Sequence, residues 1–206
     1  MKFKAVIFDF GNVIINIEFQ RIYQTFAKFT SKSPAYIEKK ITEDQIFRRY
    51  ESGQFTDEEF REVIRQTLGF PLSDHEVDTA WNAVLLDIPA DRIDLINNIR
   101  RKYPVYLLSN TNNIHITASN NYLKKAHGIR NLDVLFDKLY LSYEMGMWKP
   151  DAEIYHEVLR SNKLQPSEVI FFDDNFQNIE SAKAIGMQTI LVEPPTSIVE
   201  YCKNIF

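Results

Sequence analysis

The chain has 206 residues, 45% of them hydrophobic and 25% charged, with a formal net charge of −4. That length suits one domain, or a core domain with a smaller insert, and the composition allows a real buried core. No basic run offers a nucleic-acid surface, and the single cysteine, Cys202, excludes a disulfide framework and a thiolate zinc site, which fits a reducing compartment.

The first residues place two lysines before an apolar run, in the manner of a signal peptide, but Asp9 breaks the run and no small-residue cleavage site follows. No apolar stretch approaches the roughly 18 residues that a membrane span needs. The expectation is a soluble, cytoplasmic protein without a membrane partner. Residues 5–8 read as a buried strand, being apolar, rich in β-branched and aromatic side chains and closed by a polar turn.

From about residue 17 to 88 the pattern is helical. Phe19, Ile22, Tyr23, Phe26 and Phe29 repeat at helical spacing, as do Phe60, Val63, Ile64 and Leu68. Thr56 followed by Glu59 predicts a capping box, and Ser73 or Asp74 predicts another helix start. From about residue 90 strands and helices alternate: strands are expected at 105–108, 138–141, 169–172 and 189–192. Between them lie helical faces carrying Ile93, Ile96 and Ile99, then Ile154, Tyr155, Val158 and Leu159, then Ile179, Ala182 and Ile185. Alternation of this kind predicts a parallel sheet covered on both faces. The predicted architecture is an α/β, doubly wound, Rossmann-like core at 1–16 and 89–206, with an inserted helical cap at 17–88.

Polar clusters follow three of the strands: Asp9-Phe10-Gly11-Asn12, Ser109-Asn110-Thr111-Asn112 and Asp173-Asp174-Asn175. In an open parallel sheet ligands bind outside the carboxyl ends of the strands, so these clusters converge if the strands are neighbours. Asp9, Asp173 and Asp174 together repel unless a cation compensates, and an all-oxygen set suits Mg²⁺. A carboxylate beside Mg²⁺ points to phosphoryl transfer through an aspartyl-phosphate. Ser109, the amides after it and a helix start at 113–125 supply donors, and Lys149, before a helix whose first turn Pro150 suits, supplies a cation. Asp174 is placed to cap the helix through Ile179, and Asn178 to support the metal shell or that helix start.

Asp9, Ser109, Lys149 and Asp173-Asp174, in that order and spacing, resemble the four motifs of the haloacid dehalogenase-like hydrolases. The resemblance covers the whole chain, cap included. The strings Leu108-Ser109-Asn110-Thr111-Asn112 and Phe171-Phe172-Asp173-Asp174-Asn175, with the opening Asp9-Phe10-Gly11-Asn12-Val13, look most like bacterial phosphatases acting on glucose 1-phosphate. This resemblance implies that Asp9 is the nucleophile and a Mg²⁺ ligand, with the Gly11 carbonyl, Asp174 and, directly or through water, Asp173 as the other ligands. Ser109, Asn110 and Lys149 would then hold the phosphate of a small phosphorylated molecule. The chain is expected to act as a monomer or weak homodimer.

Gly11 departs from the pattern, since most phosphatases of that superfamily carry there a second Asp that moves the proton. Either the leaving group is good enough without it, or another group from the cap or the substrate does the work, or the chain mainly binds a phosphate ligand. The 2-haloacid dehalogenases also lack that Asp and use no metal, which leaves dehalogenation as an alternative that the Asp173-Asp174 pair opposes. In the cap, Tyr50-Glu51-Ser52-Gly53-Gln54 reads as a polar turn reaching over the site, with Glu51 contacting the substrate beyond its phosphate. His115 is a further candidate to face the substrate, and Trp148 to screen it.

Overall fold

The computed structural model describes residues 3–193, 197–203 and 205–206; Met1 and Lys2, counted above in the core, lie outside the described residues. In chain order the elements are β1 (Ala5–Phe8), α1 (Gln20–Thr30), α2 (Pro34–Glu43), α3 (Ile46–Glu51), α4 (Asp57–Leu68), α5 (Asp74–Asn82), α6 (Ala90–Arg100), β2 (Val105–Ser109), α7 (Asn113–His127), β3 (Lys138–Leu141), α8 (Ser142–Met145), α9 (Ala152–Ser161), β4 (Val169–Asp173), α10 (Phe176–Ala184), β5 (Gln188–Leu191) and α11 (Ile198–Cys202). Among the described residues no helix is long and apolar enough to cross a membrane.

The five strands form one parallel sheet in the order β3-β2-β1-β4-β5, so β1, β2 and β4 are neighbours. Alternation along the strands divides the core. Val6, Phe8, Leu107, Ile170 and Phe172 face α6, α7 and α11, while Ala5, Ile7, Leu108, Val169 and Phe171 face α9 and α10. Both faces are therefore covered, which is why these strands read as near-continuous apolar runs. The last strand lies one residue earlier than its apolar pattern suggests: Gln188–Leu191 is half-buried throughout at the sheet edge, whereas the buried Val192 follows it.

Helices α1 to α5 pack around a separate apolar cluster that includes Ile22, Phe26, Ile41, Phe60, Ile64 and Trp81. Their starts follow local chemistry. Thr56 and Ser73 each accept a hydrogen bond from the backbone N–H three residues on, at Glu59 and Glu76, whose carboxylates reach back to complete capping boxes. Two aromatic positions of the α1 pattern are not core: Phe19 is 49% exposed and Phe29 37% exposed. Phe19 precedes the helix rather than lying within it. The entry and exit of this helical segment run side by side, Ile17 bridging Leu85 in antiparallel fashion, with the Asn16 N–H donating to the Asp87 carbonyl at 2.8 Å and the Leu86 N–H to the Asn16 carbonyl at 2.9 Å.

Candidate active site

The sheet puts Asp9 directly after β1, Ser109 at the end of β2 and Asp173 at the end of β4. Lys149 comes to them from the loop before α9. Its Nζ donates to Asp9 Oδ1 at 2.6 Å, to Asp173 Oδ2 at 2.7 Å and to the Leu108 carbonyl at 2.9 Å. An ammonium has three hydrogens, and all three are used inside the protein, so Lys149 acts on a ligand in the cleft as a buried charge. Asn110 holds its loop: the amide donates to the Lys149 carbonyl and accepts from the Lys149 N–H, each at 2.9 Å. Pro150 stands ahead of α9, which begins at Ala152, and not in its first turn as its sequence context suggests.

Asp173 is fully buried and fully engaged. Oδ1 accepts from the Asn175 N–H (2.8 Å) and Asn178 Nδ2 (3.0 Å), and Oδ2 from Lys149 and again from Asn178 (3.0 Å). Asn178 thus supports the carboxylate. The helix start is Asn175, whose side chain accepts from the N–H groups of Gln177 (2.8 Å) and Asn178 (3.3 Å), so the cap expected of Asp174 falls one residue later. That frees Asp174, whose single hydrogen bond from a described residue comes from Asn12 Nδ2 at 2.8 Å. Asn12 sits at φ 55°, a left-handed conformation that Asn tolerates.

Burial governs the charges here. Asp9 is pushed up to about 7 by burial, with Asp173 and Asp174 adding to the rise and Lys149 opposing it. Burial also raises Asp174, against the Asn12 hydrogen bond. For Lys149 burial works to lower the pKa, and the two carboxylates more than offset it, so the ammonium is held charged. Oxygens of Asp9, Asp173 and Asp174 lie within 4.8 Å of one another. With Asp173 saturated by protein donors, the free lone pairs belong to Asp9 and Asp174, and this hard, all-oxygen set fits a small divalent cation. The Gly11 carbonyl accepts from the Val13 N–H at 2.6 Å and keeps its second lone pair.

A cavity of about 380 Å³ stands over this floor, lined by Asp9, Gly11, Ser109 and Lys149 below and by Ile17, Phe19, Phe47, Glu51 and Trp148 above. Ser109 is buried, and its hydroxyl makes only a long bond of 3.4 Å to the Asn110 carbonyl. Glu51 differs from its expected place in a turn: α3 runs through it, and it is only 9% exposed. Its Oε2 accepts from Trp148 Nε1 at 3.3 Å. Burial pushes its carboxyl up to about 7, the Trp148 hydrogen bond and Lys149 opposing. Ser142 ties this region down, its hydroxyl donating to the Glu51 carbonyl at 2.5 Å and accepting from the Thr111 N–H at 2.9 Å. Gly53, at φ 73°, presses against the Tyr143 carbonyl, where a Cβ would clash with the oxygen.

His115 is committed to the framework. Nδ1 accepts from the Asn112 amide (3.0 Å), Nε2 donates to the Trp81 carbonyl (3.2 Å), and burial holds the ring down to about 4. Asn12 and Asn175 stand in the polar clusters read from the sequence but received no role of their own there, and Ser142, Ile17 and Phe47 carry no chemical motif that singles them out.

The model of the haloacid dehalogenase-like hydrolase family matches residues 3–186. D-ribitol-5-phosphate phosphatase of Bacteroides thetaiotaomicron is 33% identical over 190 residues, covering 92% of each chain. A crystal structure of a family enzyme from the same organism, in complex with magnesium and inorganic phosphate, aligns with TM-score 0.87 and 37% identity over 95% of this chain and 96% of that one. A family hydrolase from Porphyromonas gingivalis aligns with TM-score 0.90 and 28% identity over 100% of this chain and 98% of that one.

Proposed function

The chain belongs to the haloacid dehalogenase-like hydrolases, and on that footing we propose that it is a magnesium-dependent phosphatase acting on a small sugar or polyol phosphate through an aspartyl-phosphate on Asp9. The observation that carries the reading is the buried Asp9–Lys149–Asp173 ion-paired floor, with Asp174 beside it, under one small cavity. Lys149 restrains Asp9 Oδ1 and leaves the other oxygen for attack on phosphorus. Ser109 supplies a hydroxyl to the phosphoryl oxygens, and Asn110 keeps the lysine loop in register. Asp9, Asp174 and the Gly11 carbonyl would hold magnesium, with Asp173 behind them. The ion, when bound, neutralises charge on the transferring oxygens.

Residues 17–88 act in this reading as a cap. Ile17, Phe19, Phe47 and Trp148 give the upper wall apolar faces, and Glu51 is the polar group there to meet a hydroxyl. Glucose 1-phosphate is the leading substrate, and the polyol phosphate of the Bacteroides relative is the second choice. The Asp173-Asp174 pair argues against metal-free dehalogenation, because three adjacent carboxylates against one lysine call for a further cation.

The test is phosphate release from a panel holding both compounds, with magnesium or with EDTA, for the wild type and Asp9→Asn. Turnover is expected only with magnesium, and at least ~10⁴-fold less in the variant, as for removal of other nucleophiles. Turnover that persists in EDTA, or survives in Asp9→Asn within tenfold, would overturn the assignment.

A further inference from the structure

We propose that Glu51, contributed by the helical segment, is the general acid and base of this site: it protonates the leaving oxygen of the substrate and then deprotonates the attacking water. This rests on the phosphatase reading above. Transfer of phosphate from a sugar or polyol expels a poor leaving group, an alkoxide, and a positioned proton donor is worth ~10²–10⁴-fold in such a step.

The other polar positions around the cavity are committed elsewhere. Gly11 has no side chain, and the space a Cβ would enter is filled by Ile17 Cδ1, 2.8 Å away. Both oxygens of Asp173 and all three hydrogens of Lys149 are already bonded within the protein. Asp9 is the nucleophile, and Asp174 lies beside it at the floor. His115 has both ring nitrogens satisfied by Asn112 and Trp81.

Glu51 is placed differently. It hangs from the wall opposite the floor, lining both the main cavity and a lobe of about 50 Å³ that continues past Gly11 towards His115. Oε2 is anchored by Trp148, whereas Oε1 takes no hydrogen bond from any described residue. The backbone beneath it is pinned by Ser142 and by the close approach of Gly53 to Tyr143. The charged groups facing it are Lys149 and Asp9 from the floor, with Arg48 one turn back on its own helix. Arg48 lies over the Trp148 ring at 5.1 Å and pairs with Asp151. Burial holds the acid near neutrality, so both protonation states are populated where the enzyme would work.

The steps balance. A carboxylate oxygen of Asp9 bonds to phosphorus as the bond from phosphorus to the leaving oxygen breaks, and that oxygen takes the Glu51 proton to depart as the alcohol. Glu51, now a carboxylate, takes a proton from water as the water oxygen bonds to phosphorus. The bond from phosphorus to Asp9 breaks, inorganic phosphate leaves, and both carboxyl groups return to their starting forms.

The experiment compares wild type and Glu51→Gln on D-ribitol 5-phosphate, whose leaving group needs the proton, and on 4-nitrophenyl phosphate, whose leaving group does not. In the variant, kcat for the polyol phosphate is expected to fall ~10²–10⁴-fold with KM changed little. The aryl phosphate should give a rapid burst of one nitrophenolate per site and then a slow phase, with phosphate accumulating on Asp9. Glu51→Asp, which keeps an acid one methylene back, should recover part of the loss, and it carries the same test if Glu51→Gln does not fold. Equal losses on both substrates without a burst, a rise in KM alone, or unchanged rates would overturn the role of Glu51 while leaving the phosphatase intact. A wild type without magnesium-dependent turnover of either substrate would instead overturn the phosphatase reading, and this inference with it.

Discussion

The carboxyl edge of the sheet and the helical segment above it treat charge in opposite ways. At the edge, Asp9, Asp173 and Lys149 are 7%, 0% and 1% exposed, and Lys149 pairs with both carboxylates. Over the helices, charges stand outside an interior of Ile, Phe and Trp, in half-buried pairs such as Arg61 with Asp78 at 2.9 Å and in the exposed capping boxes. The edge owes its order to mutual compensation of buried charges, so loss of one member exposes the others. The helices owe theirs to apolar area, and loss of one side chain costs only its own packing. Glu51 is the exception, a buried carboxyl in the apolar region.

Lys149→Met is the strongest way to break this contrast. It leaves Asp9 and Asp173 side by side without a cation, and breaking a buried pair in this way costs ~3–5 kcal/mol. Urea unfolding in EDTA reads that loss, and phosphate release with magnesium should fall by ~10²–10³-fold as well. If stability in EDTA stayed within about 1 kcal/mol, smaller than a buried pair commands, the lysine would not be what holds the edge together. Ile64→Ala sharpens the other side. Ile64 is fully buried among the helices, away from the cavity lining, and the truncation should cost about 3 kcal/mol. The same urea titration checks it, and kcat of the folded variant should change less than about threefold, since surviving structure keeps the floor intact. A large loss of kcat would mean that the two regions are coupled through packing.

The sequence is easiest to read where local chemistry or burial on both faces decides the outcome. The strands stand where apolar runs predict them except β5, which is half-buried along its whole length and so lacks the buried apolar run that marks the others; the edge strand β3, buried at its last two residues, keeps its predicted place. Thr56 and Ser73 reveal their caps because the bonds lie within three residues. The residues of the four motifs were legible as types, since paired carboxylates at strand ends have few uses. What the sequence could not display is which oxygens remain free. Saturation of Asp173 depends on Asn178 and Lys149, and the freedom of Asp174 depends on Asn175 taking the cap. Asn12 reaches Asp174 across 162 positions of chain. Glu51 was legible as a candidate for the substrate, but its helical place and its burial were not: Ser52-Gly53 beside it signals a turn, and its partner Trp148 lies nearly a hundred residues away.

The smallest effect expected is the most specific to Glu51, a gain in stability on Glu51→Gln at alkaline pH. The folded protein raises this carboxyl from 4.5 to about 7, so between those values the folded state holds a proton that the unfolded chain has released. Stability from this group is therefore complete below pH 4.5 and is lost as pH rises through about 7. A shift of that size corresponds to at most ~3 kcal/mol, and relaxation in both states should reduce the observed gain to about 1–2 kcal/mol. For a chain of this length that is a rise in Tm of roughly 2–8 °C at about pH 8, with none near pH 4. His115 works in the opposite sense, since burial lowers it from 6.5 to about 4 and its neutral form is lost to protonation as pH falls. That slope is common to wild type and variant, so it cancels in their difference. Thermal melts of the two proteins across pH 4 to 8, in EDTA, isolate Glu51. A difference that grows with pH would place the buried carboxyl among the costs that the helical core carries for the site beneath it. A flat difference would mean that Glu51 ionises in the folded protein as it does in the unfolded chain, and the helical segment would then match the contrast without exception.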